Sequence, residues 1–353
     1  MKKMINKKKI ENILTNKSLS IQFRSDNIQK WNETLRNIEY VPADFCNDLI
    51  DFYASNLRSN GFICIDYSFT IYWGNKLAGC FLCSLSTKKN NNYFNNFGKP
   101  LNQPLFIKDL NRKTKKNIIK NLLHFIISIN RKLSKNFIEL TDVFTNNLGA
   151  SEWCLYTASL SLKNYFSYEL FYKVPVNCSK INSTWNKKLN SLIKNNLSYW
   201  DNGLLCYSSK NIDKIFSEFK QLHFRVSGRK TRSDETWEIQ KKSIKNNTSF
   251  LVYLIDDNKD MIGAGYFTFT KTECMYAVGA YDRALFNKPI GHIVQFLAIK
   301  YIINKKINWY KIGNLPFEKS KPIPTEKEIS ISQFKKQFST DIIMQPFFKI
   351  KLN

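Results

Sequence analysis

One order of elements occurs twice in this chain, and it restricts the possible folds more than any other feature. In the first half, FTIYWGNKLAGCFLCSLS (Phe69 to Ser86) reads as strand, tight turn at Gly74-Asn75, strand. KKNIIKNLLHFIISINRKL (Lys115 to Leu133) follows, with Ile118, Leu122, Phe125, Ile126 and Ile129 at helical spacing. The short strand NFIELTD closes the unit. In the second half, FLVYLIDDNKDMIGAGYFTFT (Phe250 to Thr270) is again strand, turn, strand, and MYAVGAYD adds another strand. KPIGHIVQFLAIKYIINKK (Lys288 to Lys306) is the helix and INWYKIGN the closing strand. A recurrence at about 180 residues is too long for a solenoid and predicts two related α/β domains. The expected division is a basic tail over 1–20, an N-terminal domain over 21–175 and a C-terminal domain over 176–353. The junction lies near Tyr172 to Trp185, and STWNKKLNSLIKNNLSYW forms the helix that opens the second domain.

The chain has 353 residues, 43% of them hydrophobic and 14% aromatic, enough for packed cores and against bulk disorder. Its formal charge is +26, from 54 basic and 28 acidic side chains. Such a surface suits polyanions, whether nucleic acid, anionic membrane or phosphorylated substrates. Mutational bias in an AT-rich genome, which also enriches Asn, Ile, Phe and Tyr, explains a general excess of Lys equally well. No stretch approaches the roughly 18 apolar residues of a membrane span. MKKMINKKKIENILTNK has basic residues but no apolar core, so it reads as a solvated tail or weak basic helix, not a secretory signal. Peripheral contact of this segment with an anionic membrane stays open. Eight cysteines are present, of which only Cys80 and Cys83 form a C-x-x-C pair. They fall in an apolar strand-like run whose neighbours alternate faces, and no second pair or nearby His completes a metal set. Free thiols in a reducing cytoplasm are expected, with no metal.

Arg is scarce, with nine residues in all, yet three stand within LHFRVSGRKTRSDETWEIQ (Leu222 to Gln240). Ile212, Ile215, Phe216, Phe219, Leu222 and Val226 predict a helix ending at Gly228. A second helix starts near Ser233, with a capping-box pattern from Thr231. Arg229, Lys230 and Arg232 then fall on a loop between two helices, with His223 and Arg225 near the end of the first. A planar, always charged guanidinium suits carboxylate and phosphate, so Arg225, Arg229 and Arg232 are candidate anion anchors. The alternative is pairing with Asp234, Glu235 and Glu238. His223 fits a base or a satisfied core histidine. Trp237 and Gln240 follow on the second helix, and Trp237 shares a face with Ile244, which favours the core.

YAVGAYDRALFNKPIGH holds Tyr276, Tyr281, Asp282, Arg283 and His292 close together. Gly279 in a strand permits close approach of a ligand or another backbone. Asn287 is the expected helix cap and Pro289 suits the first turn. Gln295 lies one turn beyond His292 on the same helix. The bland alternative is a capped helix with Asp282 and Arg283 paired to each other. No hydrolase elbow, nucleotide P-loop, zincin motif or dinucleotide fingerprint occurs.

These stretches, with FLVYLIDDNKDMIGAGYF and the late SISQFKKQF, resemble the GNAT acyltransferase fold, and two in tandem resemble the Fem-type (FemABX and BioF2-like) group. The resemblance is carried by about 170 residues of the second half, and by architecture alone in the first. It implies an α/β fold of two GNAT-like domains, each a twisted mixed sheet flanked by helices. It also implies an N-acyltransferase moving an acyl or aminoacyl group onto an amine of a small-molecule or nucleotide-linked amino sugar, or of a peptide precursor of a cell-surface polymer. His223 or His292 would take the amine proton, and Tyr276 or Tyr281 would protonate the leaving group. Arg225, Arg229, Arg232, Asp282, Arg283, Trp237, Gln240 and Gln295 would contact substrates. No tightly bound cofactor is expected; acyl-CoA or aminoacyl-tRNA serves as co-substrate. Simple acetyl-CoA enzymes of this fold carry an Arg/Gln-x-x-Gly-x-Gly/Ala loop before the helix, whereas DRALFNKPIGHIV keeps an Arg without the glycine pair. That departure, with the charge, suits an RNA-borne donor. The competing class is a non-catalytic, basic RNA- or membrane-surface-binding protein on the same fold.

Overall fold

The computed structural model describes residues 5–15, 19–89, 91–146, 149–197, 204–206, 211–317, 320 and 323–352, the side chains of 204–206 excepted. Its elements begin with α1 (Lys7–Thr15), β1 (Leu19–Phe23), α2 (Ile28–Arg36), α3 (Asn47–Ser59), β2 (Ile63–Asp66), β3 (Phe69–Trp73), β4 (Lys76–Phe81), β5 (Ser84–Lys88), β6 (Asn91–Asn95), β7 (Leu105–Phe106), α4 (Arg112–Lys132), β8 (Phe137–Thr141) and α5 (Glu152–Leu160). They continue with β9 (Lys163–Lys173), α6 (Ile181–Thr184), α7 (Lys187–Leu197), β10 (Leu204–Cys206), α8 (Ile212–Ser227), α9 (Asp234–Lys245), β11 (Ser249–Ile255), β12 (Met261–Phe269), β13 (Glu273–Tyr281), α10 (Ile290–Asn304), β14 (Trp309–Asn314), α11 (Glu326–Lys336) and β15 (Asp341–Lys351). Two compact units result. Unit 1 comprises Met1–Val41, Tyr53–Phe166 and Gln345–Asn353; unit 2 comprises Pro42–Phe52 and Ser167–Met344. The division therefore falls earlier than the expected 175/176, and each unit takes a segment from beyond the other in sequence.

In unit 1, β1-β3-β4-β7 and β2-β5-β6 form separate sheets, and β8 pairs antiparallel with the last residues of β15. Gly74 takes a positive φ of 57° in the two-residue turn between β3 and β4, as its sequence position predicts. The strand after this turn differs from the reading as one run. It breaks at Leu82 and Cys83, so β4 and β5 join different sheets. Cys80 and Cys83 are both fully buried, and burial pushes both thiols up, which makes them packing groups. The side chain of Cys206 lies outside the described residues. Among the described residues no group of three metal-ligating side chains occurs. The first segment is no solvated tail along its whole length: α1 buries Ile10 and Leu14 in the core with Phe23, Phe69, Phe81, Phe125 and Trp153. α4 is capped by Asn111, whose side chain accepts from the Thr114 amide, and lays its apolar stripe on the same core.

Unit 2 has the strand order β10-β11-β12-β13-β14-β9. Helix α10 covers one face through Ile293, Val294, Ala298, Ile299 and Ile302, packed with Leu170, Tyr172 and Tyr310. α8 and α9 cover the other through Phe216, Phe219, Leu222, Trp237 and Ile244, against Leu251, Ala264 and Tyr266. Where a sheet is covered on both faces, its strands are apolar on both, which is why β11 and β12 read as nearly continuous hydrophobic runs. The segment Pro42–Phe52 is fastened to unit 2 by polar contacts. The Ala43 amide donates to Glu273 Oε1 at 3.0 Å, and Asp48 accepts from Asn246 and Thr248. Beneath β14, Lys311 pairs with Glu169 at 2.7 Å. Burial works against this ammonium, but Glu169, Asp44 and Glu273 outweigh it and its pKa rises.

Asp142, just after β8, carries a stored electrostatic cost. Its Oδ2 accepts from Ser151 at 2.9 Å, whereas Oδ1 has no hydrogen-bond partner among the described residues. Burial pushes its pKa up to about 6. A carboxylate whose folded pKa is raised contributes stability below its unfolded value, near 4, and loses it as pH rises through about 6. Asp142→Asn should therefore reduce the stability lost between pH 4.5 and pH 8 by about 2 kcal/mol. Urea denaturation across that range checks this; an unchanged pH dependence contradicts it.

Candidate active site

β13 and β14 run parallel but are paired only over Glu273–Met275 and Trp309–Lys311. Beyond Met275 that ladder stops. On its other side β13 stays paired to β12, with a register shift that leaves Ala277 as the extra residue between Tyr276 and Val278. A cavity of about 670 Å³ opens where the ladder ends, bounded by β13 from Tyr276 to Tyr281, the start of α10 and one side of α11. Its lining includes Arg283, Lys288, Lys327 and Lys335, with His223 and His292, and no carboxylate. Phe286, 67% exposed, and Ile331, 44% exposed, also line it.

At the floor, the Tyr276 and Tyr281 hydroxyls are 2.8 Å apart. Gly279 makes this possible: a Cβ there would come within 1.8 Å of the Tyr276 hydroxyl oxygen. Gln295 on α10 is fully buried beside both tyrosines and accepts from the Tyr310 hydroxyl. Its Nε2 has no hydrogen-bond partner among the described residues. Burial pushes the Tyr276 phenol well above its ordinary value and Tyr281 to about 12, so both stay protonated at neutral pH and serve as donors. Lys335 lies 5.4 Å over the Tyr276 ring, and burial lowers its ammonium pKa.

Both candidate histidines line this cavity. His223 packs on Trp237 with ring centroids 5.2 Å apart; burial first, and the Arg232 charge second, bring its pKa down to about 4. His292 packs on Phe334 and Phe338 and meets Gln337 Oε1 at 3.4 Å, and burial lowers its pKa as well. Both are neutral at pH 7, and a base with a pKa near 4 takes up a proton weakly there.

The arginines part company. Gly228 ends α8 in the left-handed conformation, φ 69°, as expected. Ser233, not Thr231, caps α9. Arg225 donates to the Met261 carbonyl at 3.3 Å and faces Asp282 at 3.6 Å, so Asp282 pairs with Arg225 and not with its neighbour Arg283. Arg229 is exposed and does not line the cavity. Asp234 is held by Lys220 and Lys230. Arg232 lies over the Trp237 ring at 5.0 Å and the Phe52 ring at 5.7 Å and donates to Gln240 Oε1 at 3.1 Å. It has no carboxylate partner among the described residues, and burial lowers its pKa. Trp237 is core, packed on Phe216 and Phe219. Before α10, Asp282 caps a short 3-10 turn at Arg283–Leu285, and Pro289, not Asn287, stands at the N-cap. Lys335, Lys327 and Lys288 were not singled out from the sequence; the only signal was the Phe-Lys pair inside SISQFKKQF.

No family model matches the chain. No curated protein matches it either. Among solved structures, FemX covers 90% of this chain and 95% of its own, with a TM-score of 0.64 at 12% identity. L-PGS from Bacillus licheniformis covers 92% of each chain, with a TM-score of 0.57 at 10% identity. The chain has the Fem-type fold. It consists of two GNAT-like α/β domains in tandem. A similar match is the C-terminal domain of a putative lysylphosphatidylglycerol synthetase from Agrobacterium fabrum, TM-score 0.55 at 8% identity. Within this fold the end of the β13–β14 ladder in unit 2 opens a cavity with four cations in its lining and a tyrosine pair at its floor.

The tyrosine pair depends on an empty position at Gly279. Gly279→Ala should destabilise the protein by about 1–3 kcal/mol through overpacking. Adding Tyr276→Phe, which removes the clashing oxygen, should recover part of that loss in urea denaturation. A double variant no more stable than Gly279→Ala contradicts the arrangement.

Proposed function

We propose that the chain is an N-acyltransferase whose acyl or aminoacyl donor occupies the unit 2 cavity. The observation that carries this reading is a concave lining with four cations, no carboxylate and a protonated tyrosine pair at its floor. Phosphate on a donor meets Arg283, Lys288 and Lys327 by charge-assisted hydrogen bonds. Exposed Phe286 and Ile331 offer apolar contact to the base or arm of the carrier. The reactive carbonyl then lies near Tyr276 and Lys335. As the acceptor amine attacks, Lys335 stabilises the developing oxyanion. Collapse expels the carrier oxygen or sulfur, which takes a proton from the Tyr276–Tyr281 pair, and water in the open cavity returns a proton to the phenolate. The amine proton leaves through water or His292, the histidine that the Arg232 charge does not press on.

The short turn at Arg283–Leu285 and the proline at the start of α10 replace a glycine-rich phosphate loop, which favours an RNA-borne donor over acyl-CoA. The acceptor is read as an amine of an amino sugar or peptide precursor of a cell-surface polymer, with the Fem-type fold as support, and Arg232 as the anchor for its anionic part. A cytoplasmic location belongs to the same reading; among the described residues no helix is long and apolar enough to cross a membrane. Cations gathered in a cleft with donors at its floor favour catalysis over a purely binding role on this fold.

Transfer from an aminoacyl minihelix RNA and from acyl-CoA to an amino-sugar or peptide acceptor tests this. Lys335→Met and Tyr276→Phe should each lower kcat about 100-fold or more. Arg283→Ala with Lys327→Ala should raise donor KM about tenfold while leaving kcat within a few-fold. Arg232→Ala should raise acceptor KM alone. No transfer from either donor, or unchanged kinetics in these variants, refutes the reading.

A further inference from the structure

Unit 1 contains a second cavity, of about 410 Å³, that takes no part in the chemistry above. It occupies the place that the internal repeat dictates. In unit 2 the walls are a strand, the start of the next helix and the helix after the closing strand: β13, α10 and α11. In unit 1 the walls are β7, the first turns of α4 through Lys115 and Ile119, and the start of α5 at Ser151–Trp153, after closing strand β8. The chemistry differs. β7 presents Leu105 and Phe106 where β13 presents its tyrosines, so this cavity has no hydroxyl pair on its strand wall.

Its charged lining is two lysines and two glutamates. Lys108 and Lys115 line it, and neither has an ion pair among the described residues. Glu152, the acidic residue at the start of α5, is already taken by Arg112 and by Lys116 at 3.6 Å. α4 opens with Arg-Lys-Thr-Lys-Lys directly after its Asn111 cap, with no acidic residue in the first turn. Cations at the positive end of a helix are unfavourable unless an anion meets them. Glu39, exposed at the same lining, has no ion pair among the described residues and accepts hydrogen bonds from hydroxyls. The buried Trp153 and Leu105 supply apolar wall. A volume of this order suits a ligand of nucleotide or sugar-phosphate size.

We infer that the unit 1 cavity binds a small organic phosphate, its phosphate on Lys108 and Lys115 and a hydroxyl on Glu39, as a binding site without transfer chemistry. This stands independently of the donor reading for unit 2. Calorimetric titration of the full chain with ribose 5-phosphate, with inorganic phosphate as comparator, tests it. Ribose 5-phosphate should bind with a Kd of about 1 mM or tighter. Lys108→Ala with Lys115→Ala should weaken it about tenfold or more. Glu39→Gln should weaken ribose 5-phosphate while leaving inorganic phosphate unchanged, which separates recognition of the hydroxyl from simple anion attraction. Absence of ribose 5-phosphate binding, or binding unaltered in the double lysine variant, overturns the inference. Equal losses for both probes in Glu39→Gln overturn the hydroxyl contact. A transfer assay that fails in unit 2 leaves these outcomes readable.

Discussion

The parallel ladder between β13 and β14 holds for three residues and then ends, and the site depends on that break. A fully zipped ladder would leave no space at Tyr276. Pairing with β12 keeps β13 in place while the extra residue at Ala277 changes which way its later side chains face. Gly279 leaves room for the Tyr276 ring, and Tyr281 closes over it. α10 then supplies Gln295 from below, and α11 supplies Lys335 from the side. Strand divergence, bulge and glycine act as one device that turns a sheet into a cavity floor.

Burial sets the electrostatics of that floor. It keeps the phenols protonated, keeps both histidines neutral and lowers the pKa of the Lys335 ammonium. The cations at Arg283, Lys288 and Lys327 extend a positive lining outward from that floor, which under the proposed function is where an anionic carrier would be met. Arg232 is a different kind of cation. Aromatic rings and one amide oxygen hold it, and no carboxylate neutralises it among the described residues. Holding a guanidinium that way costs stability, a cost that the anion assigned to it under the proposed function would offset.

Local chemistry made much of this legible from the sequence. The repeated hairpin, helix and strand gave the tandem architecture, and Gly228 and Ser233 marked the helix ends where the structure has them. Tyr276, Tyr281, His292 and Gln295 stand on one strand and the helix after it and lie at one cavity or its floor, but period-two alternation alone would put Tyr276 and Tyr281 on opposite faces, and the extra residue at Ala277 brings them together. The failures were non-local. Arg225 turns to Met261 and Asp282, which no spacing within its own helix reveals. Lys335 reaches Tyr276 from a helix that follows the closing strand, and a Phe-Lys pair in a basic chain carries little information alone. The return of the C-terminal strand to unit 1, and of Pro42–Phe52 to unit 2, are pairings across the chain order that hydrophobic pattern does not specify.

The central claim is that a phosphate-bearing acyl carrier enters where β13 leaves β14. Hydrogen exchange of the full chain, with and without an aminoacyl minihelix RNA or acyl-CoA, tests it most directly. The account predicts slowed exchange at residues 276–281, 290–292 and 327–335 with at least one of these carriers, and unchanged exchange at 215–222. Protection confined to other segments, or none with either carrier, would contradict it.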